Sequence, residues 1–120
     1  AGSSVVFERG FVTYSNDAKM ELLGVPSQTL DFYGAVSEQT AQEMAKGALK
    51  NSKADIAVSV TGIAGPAGGT AEKPLGLVFI GIATKDHLGS FECHFEGSRE
   101  DIREQSAEKA LTLLLSHITR

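Results

Sequence analysis

Three groups of residues in this chain have types and spacings suited to chemistry on a polar or anionic ligand. The first is Thr61-Gly62-Ile63-Ala64-Gly65-Pro66-Ala67-Gly68-Gly69-Thr70-Ala71-Glu72-Lys73-Pro74, a run without hydrophobic periodicity. Compact domains rarely keep so long a loop without a use. Glycines let backbone N–H groups turn toward a ligand, and successive N–H groups form an anion nest. Gly62, Gly65, Gly68 and Gly69 offer such groups, and Lys73 beside Glu72 either closes over a ligand or pairs at the surface. The glycines follow neither G-x-x-x-x-G-K-[ST] nor G-x-G-x-x-G, which removes the main support for ATP or a dinucleotide. A plain hairpin connection is the alternative.

The second group is Tyr14-Ser15-Asn16-Asp17-Ala18-Lys19. An extended stretch here passes into a helix N-terminus, where N–H groups and the dipole favour an anion. Tyr14 and Ser15 supply hydroxyls, and Lys19 a cation one turn later. A lysine whose pKa is lowered by burial or by neighbouring cations can act as a base. A capped surface helix with a solvated lysine explains the same spacing. The third group is Gly97-Ser98-Arg99 with Arg103. The two arginines stand at i and i+4 and share a helix face. Arg99 falls in the first turn, where the dipole disfavours a cation, so it either holds an anionic ligand or pairs with Glu100 or Glu104.

The elements that position these groups follow from patterning. Val5–Tyr14 is β-branched and aromatic and predicts a strand. Ser15 to Asp17 offer caps for a helix over Ala18–Leu23, which Gly24 and Pro26 stop, and a short turn follows to about Leu30. Ser37 caps the next helix, with Ala41, Met44, Ala45, Ala48 and Leu49 as its apolar stripe and Val36 against Ala41 as a staple. Ile56–Val60 predicts a short strand covered on both sides. Leu75–Thr84 and Ser90–Phe95 predict an antiparallel hairpin around Lys85–Gly89. Ser98-Arg99-Glu100-Asp101 is a capping box, opening a helix with Ile102, Ala107, Ala110, Leu111, Leu114, Leu115 and Ile118 on one stripe. The order β, α, α, β, loop, β-hairpin, α predicts an α/β fold with a mixed sheet.

Composition bounds the function classes. The 120 residues suffice for one domain with a real core. Apolar residues at 42% and charged at 22% exclude a disordered tail or a rod. No apolar run reaches membrane-spanning length, and nothing at the start resembles a secretion signal. Eleven Lys+Arg against fifteen Asp+Glu give a net charge of −4, so non-specific nucleic-acid binding is not expected and any anion site must be a local cluster. A single cysteine, Cys93, allows no internal disulfide, fits a reducing cytoplasm, and reads as a packed thiol. His87, His94 and His117 are scattered, and no metal site is expected from them.

Several stretches together resemble one family. These are Phe7-Glu8-Arg9-Gly10-Phe11-Val12-Thr13-Tyr14-Ser15-Asn16-Asp17-Ala18-Lys19, Leu23-Gly24-Val25, Gly34-Ala35-Val36-Ser37, Ser59-Val60-Thr61-Gly62-Ile63-Ala64-Gly65-Pro66 and Glu72-Lys73-Pro74-Leu75-Gly76. In order, and over nearly the whole chain, they resemble the C-terminal domain of the competence/damage-inducible CinA family, the nicotinamide-nucleotide amidases. Gly97-Ser98-Arg99…Arg103 resembles the family's G-D-R…R, with Ser98 where Asp is usual. The resemblance implies a three-layer α/β/α sandwich on a mixed sheet, one domain over 1–120, usually a homodimer, with no cofactor. It implies conversion of nicotinamide mononucleotide to nicotinate mononucleotide and ammonia. Family members also carry a segment like A-E-S-C-T-G-G upstream of where this chain starts. On that basis the domain is expected to be incomplete at its N-terminus and to lack a candidate serine nucleophile.

The expected mechanism assigns Arg99, Arg103 and the glycine-rich loop to the 5′-phosphate, Tyr14 to stacking on the pyridinium, and Lys19 to base or activator. Thr61 or the Gly62 N–H faces the carboxamide, and Ser15 is a second-choice nucleophile. Two other readings stand beside it: a nucleotide-binding module without turnover, and an accessory protein of competence or DNA damage response, against which the acidic balance argues.

Overall fold

The computed structural model describes residues 9–118, the side chain of Ile118 excepted. Ser15 caps helix α1 (Asn16–Leu23) by accepting the Ala18 N–H at 3.0 Å, and Gly24 ends it at φ 66°. Helix α2 (Ser27–Tyr33) occupies the stretch expected as a turn. Only Leu30 of its residues is buried, so no apolar stripe announced it. Ser37 caps α3 (Glu38–Lys50), accepting the Thr40 N–H at 3.1 Å. Leu23, Val25, Leu30 and Met44 form a small core that fastens α1 and α2 to α3.

The described sheet has the order β1 (Ile56–Gly62), β2 (Leu77–Thr84), β3 (Leu88–His94), with both ladders antiparallel. The parallel pairing that a mixed sheet requires is not among these strands. β2 is central and buried on both faces, hence its unbroken apolar run. Leu77 and Phe79 meet Ala41 and Val36 on the α3 side. Val78 and Ile80 meet Cys93 and, from α4 (Arg99–Ile118), Ile102, Ala110 and Leu113 on the other. Helices thus cover both faces, giving the α/β layering that the element order predicts. A Cβ at Gly81 would stand 2.2 Å from the Ala41 carbonyl oxygen, so only glycine lets α3 lie this close to β2. Cys93 is buried, and burial pushes its thiol above the usual range, with nearby Lys109 acting the other way and Glu92 adding to the rise.

Three expectations are corrected. The strand expected over 5–14 falls partly outside the described residues, and its described part, 9–14, is not strand and joins none of the described ladders. The Thr13 carbonyl accepts from Lys19 Nζ instead of a ladder partner. The better covered face of β1 is the one that carries the buried Ser59 and Thr61: Ser59 Oγ donates to the Ala41 carbonyl at 2.6 Å, while Val60 stays 41% exposed. On α4 the buried line is Ile102, Ser106, Ala110 and Leu113, whereas Leu111 and Leu115 face outward. The line follows i, i+4, i+8, i+11, and the expected stripe had mixed it with its flank.

The capping box at the start of α4 forms in both directions. Ser98 Oγ accepts the Asp101 N–H at 3.2 Å, and the Asp101 carboxylate accepts the Ser98 N–H at 2.9 Å. Those bonds hold the Asp101 carboxyl below the ordinary Asp range. Serine and aspartate are both good N-caps, so Ser98 serves where the family pattern has Asp. Ser98→Ala is expected to cost about 0.5–2 kcal/mol in urea unfolding and to lose amide protection in the first turn of α4, while Ser98→Asp retains most of both.

Candidate functional site

β1 ends at Gly62 and α4 begins at Arg99, and these two ends form one corner of the molecule. An open cavity of about 430 Å³ lies there. Val60, Ala64, Val78, Ile102 and Ala107 give it an apolar lining, and Gly62 brings bare backbone to its wall. Its polar groups are Tyr14, Arg99, Arg103 and Ser106. Arg99, Arg103 and Ser106 stand at i, i+4 and i+7 and so share the inward face of α4. Tyr14, 84% exposed, stands at the rim.

The electrostatics favour an anion. Among the described residues neither guanidinium pairs with a carboxylate, Glu100 and Glu104 included. Arg99 Nη1 instead donates to the Gly65 carbonyl at 2.9 Å, tying the glycine-rich loop to α4. Gly65 has φ +92°, a left-handed conformation that glycine adopts without strain, and this aims its carbonyl at the arginine. A second opening on α4, about 490 Å³, is walled by Glu96, Asp101, Glu104 and Glu108 and repels the same ligand.

Lys19 is 6% exposed, and burial pushes its ammonium below the ordinary lysine pKa. Its Nζ donates to the Thr13 carbonyl at 2.9 Å, one residue from Tyr14. It does not line the cavity. A buried amine that meets a carbonyl and, among the described residues, no carboxylate gives up its proton more readily than a solvated one.

The structure therefore brings Tyr14, Gly62, Arg99 and Arg103 into one cavity; Gly65 is tied to it through Arg99, and Lys19 is bonded to the residue before Tyr14. Other expected site residues have local employment. Ser15 Oγ caps α1. Thr61 is buried on the opposite face of β1 from Val60, and its hydroxyl donates to the Ala35 carbonyl at 2.7 Å. Lys73 Nζ donates to the Tyr33 carbonyl at 2.7 Å, and its backbone N–H bonds Thr70 Oγ1. Gly68 and Gly69 lie farther along the loop; a Cβ on either would meet Ile63 or Leu75 rather than the cavity. Ser106 is an unexpected member of the lining. Its position three residues after Arg103 was the available signal, and its hydroxyl donates to the Ile102 carbonyl at 2.7 Å.

No described helix is long and apolar enough to cross a membrane, and no three His, Cys, Asp or Glu among the described residues gather as a metal site. The CinA C-terminal domain family matches residues 1–118. The chain is 57% identical over 116 residues to the nicotinamide-nucleotide amidohydrolase PncC of Enterobacter agglomerans, covering 96% of this chain and 71% of that protein. It is 56% identical over 113 residues to a CinA-like protein of Endomicrobium trichonymphae, covering 94% of this chain. The chain spans only 26% of the length of that relative, and 28% of a Caldicellulosiruptor bescii relative that is 61% identical. The crystal structure of the competence/damage inducible protein CihA from Agrobacterium tumefaciens superposes with a TM-score of 0.88 at 49% identity, over 90% of this chain and 67% of that one. The chain belongs to the CinA C-terminal domain family.

Proposed function

We propose that the cavity between β1 and α4 binds nicotinamide mononucleotide and that the complete site hydrolyses its carboxamide to nicotinate mononucleotide and ammonia. The observation that carries this is one cavity holding two guanidiniums that have no carboxylate partner among the described residues, with an exposed aromatic ring at its rim. Arg99 and Arg103 receive the 5′-phosphate, for which a guanidinium fork is geometrically suited. Tyr14 takes the positively charged pyridinium on its face. The name of the Enterobacter relative supplies the reaction class.

In this reading an oxygen nucleophile adds to the carboxamide carbon, the carbon–nitrogen bond breaks, and ammonia leaves; where the nucleophile is a protein hydroxyl, water then cleaves the resulting acyl ester and releases nicotinate mononucleotide and the free hydroxyl. Lys19, neutral for a larger share of the time than a solvated lysine, stands outside the lining with its Nζ on the Thr13 carbonyl, and in this reading accepts the nucleophile's proton and returns it to the departing nitrogen through one bridging water. The Gly62 N–H is the candidate donor to the developing oxyanion. A homodimer acting in cytoplasmic pyridine-nucleotide recycling belongs to the same reading.

A second reading has one observation in its favour. The hydroxyls of Ser15, Thr61 and Ser106 are all engaged with backbone atoms, which favours binding without turnover by this chain alone. Ammonia release from nicotinamide mononucleotide decides, measured on this chain and on a version extended upstream to the length of the Enterobacter relative. Release by the extended version alone is the expected outcome and places the nucleophile upstream. Binding without release in both selects the binding module. Neither binding nor release, with both proteins folded by circular dichroism, overturns the nucleotide reading.

A further inference from the structure

We propose that the glycine-rich loop is a strap coupled to the anion site: the Gly65 carbonyl positions the Arg99 guanidinium, and an anion held by that guanidinium fixes the loop in return. This coupling rests on the nucleotide reading only in that the cavity must take an anion; it does not depend on turnover. Residues 64–69 lead from the end of β1 into the exposed part of the loop. Among the described residues a single hydrogen bond reaches them, from Arg99 Nη1 to the Gly65 carbonyl at 2.9 Å. Both flanks are posts. On one side the Ile63 N–H donates to the Leu77 carbonyl at 3.0 Å, and the Ile63 carbonyl accepts the Gly76 N–H at 2.7 Å. On the other the Thr70 N–H donates to the Lys73 carbonyl at 2.9 Å, and Lys73 Nζ holds the Tyr33 carbonyl. One exposed hydrogen bond falls short of what ordering this stretch costs in entropy, which places it in the least stable part of the molecule.

Arg99 can hold the loop and an anion at once. A guanidinium carries five N–H donors in a planar fork, and a bidentate anion needs only two parallel ones. Nη1 goes to Gly65, and among the described residues the Arg99 side chain makes no other hydrogen bond, so its remaining donors are left for the cavity it lines. A long side chain already fixed by the Gly65 carbonyl gives up less freedom when the anion arrives. The effect is reciprocal by linkage: whatever the loop adds to anion affinity, the anion adds to the order of the loop. Gly65 is therefore a positioning residue. Its φ of +92° strains any residue with a Cβ, although the Cβ itself would meet only the Leu75 side chain, at an ordinary 3.4 Å. Arg103 lines the same cavity and, among the described residues, makes no hydrogen bond to the loop. It supplies the control, a cation that serves the anion without gripping the strap.

The test follows ¹⁵N order parameters of Ala64, Gly65, Ala67, Gly68 and Gly69 in the full chain as inorganic phosphate or nicotinamide mononucleotide is added. Saturable binding of both is expected, with these order parameters rising along the same isotherm. Nicotinamide riboside, which lacks the phosphate, should leave them unmoved. Gly65→Ala should weaken phosphate binding by about three- to tenfold, the worth of one hydrogen bond, although the substituted side chain does not line the cavity. Arg103→Ala should weaken binding too, yet the loop should still tighten at saturation. Arg99→Lys should keep part of the affinity and lose the tightening, because lysine lacks the fork. Binding that leaves these amides unchanged overturns the coupling and leaves the anion site standing. So does wild-type affinity in Gly65→Ala, or tightening that survives Arg99→Lys. Absence of binding by either probe overturns the coupling together with the nucleotide reading. Tightening by phosphate without ammonia release from the upstream-extended protein upholds the coupling and removes the amidase reading alone.

Discussion

Lys19→Met in the upstream-extended protein is expected to lower ammonia release by about 10²–10⁴-fold, the range for loss of a positioned proton carrier. Methionine keeps the length and flexibility of the side chain, so packing changes little. It leaves the Thr13 carbonyl without its donor, a cost of about 1–3 kcal/mol, and it removes an ammonium that burial disfavours. These effects oppose each other, so activity should fall far more than stability. The pH dependence separates base from strut. The folded pKa of Lys19 lies below 10.5, its unfolded value, so between the two the unfolded chain binds more protons. Stability rises with pH wherever that holds. Wild type should therefore gain stability relative to Lys19→Met as the pH climbs toward about 10.5, and the difference should level off above it, in urea midpoints taken across the alkaline range. A slope of the opposite sign would show that something other than burial governs this amine. Lys19→Arg should not restore turnover, because a guanidinium keeps its proton.

Much of this arrangement could be read from the sequence, and the exceptions have physical causes. The caps at Ser15, Ser37 and Ser98 were readable because a side-chain acceptor before a helix is a local device. The hairpin was readable because β2 is buried on both faces and its run is unbroken. α2 was not, because a seven-residue helix with one buried side chain leaves no period to detect. Thr61 illustrates the limit at the site. Its place beside Gly62 suggested an outward hydroxyl, yet strand alternation turns it inward to the Ala35 carbonyl, and which face of β1 looks into the cavity depends on where α4 packs. Lys73 is similar: the chain offers a cation in a glycine-rich loop, and only the fold shows the Tyr33 carbonyl within its reach. That Arg99 and Arg103 share a face is legible because i, i+4 spacing survives any tertiary arrangement of the helix.

Arg99→Ala is expected to raise the KM for nicotinamide mononucleotide by about 10–100-fold, since a hydrogen bond to a charged group contributes about 1.5–3 kcal/mol and each 1.4 kcal/mol is tenfold. The loss has two sources. One is the guanidinium itself; the other is the Gly65 carbonyl, which loses its 2.9 Å partner and with it the anchor of the loop to α4. Arg99→Lys distinguishes them, because lysine keeps the charge but not the fork, and should recover part of the KM while leaving the loop looser to hydrogen exchange. Arg103→Ala should act in the same direction, and the double variant should fall short of the sum, as two groups on one anion are coupled. Lys73→Ala should change KM by no more than about twofold, because its ammonium is bound to the Tyr33 carbonyl and is absent from the cavity lining. The sharpest comparison uses the same amide without its phosphate, nicotinamide riboside. If Arg99 and Arg103 serve the phosphate, their removal should leave hydrolysis of the riboside nearly unchanged while weakening that of the mononucleotide. Equal losses on both substrates would move the arginines from phosphate recognition to the carboxamide, where they would be acting on the developing oxyanion instead.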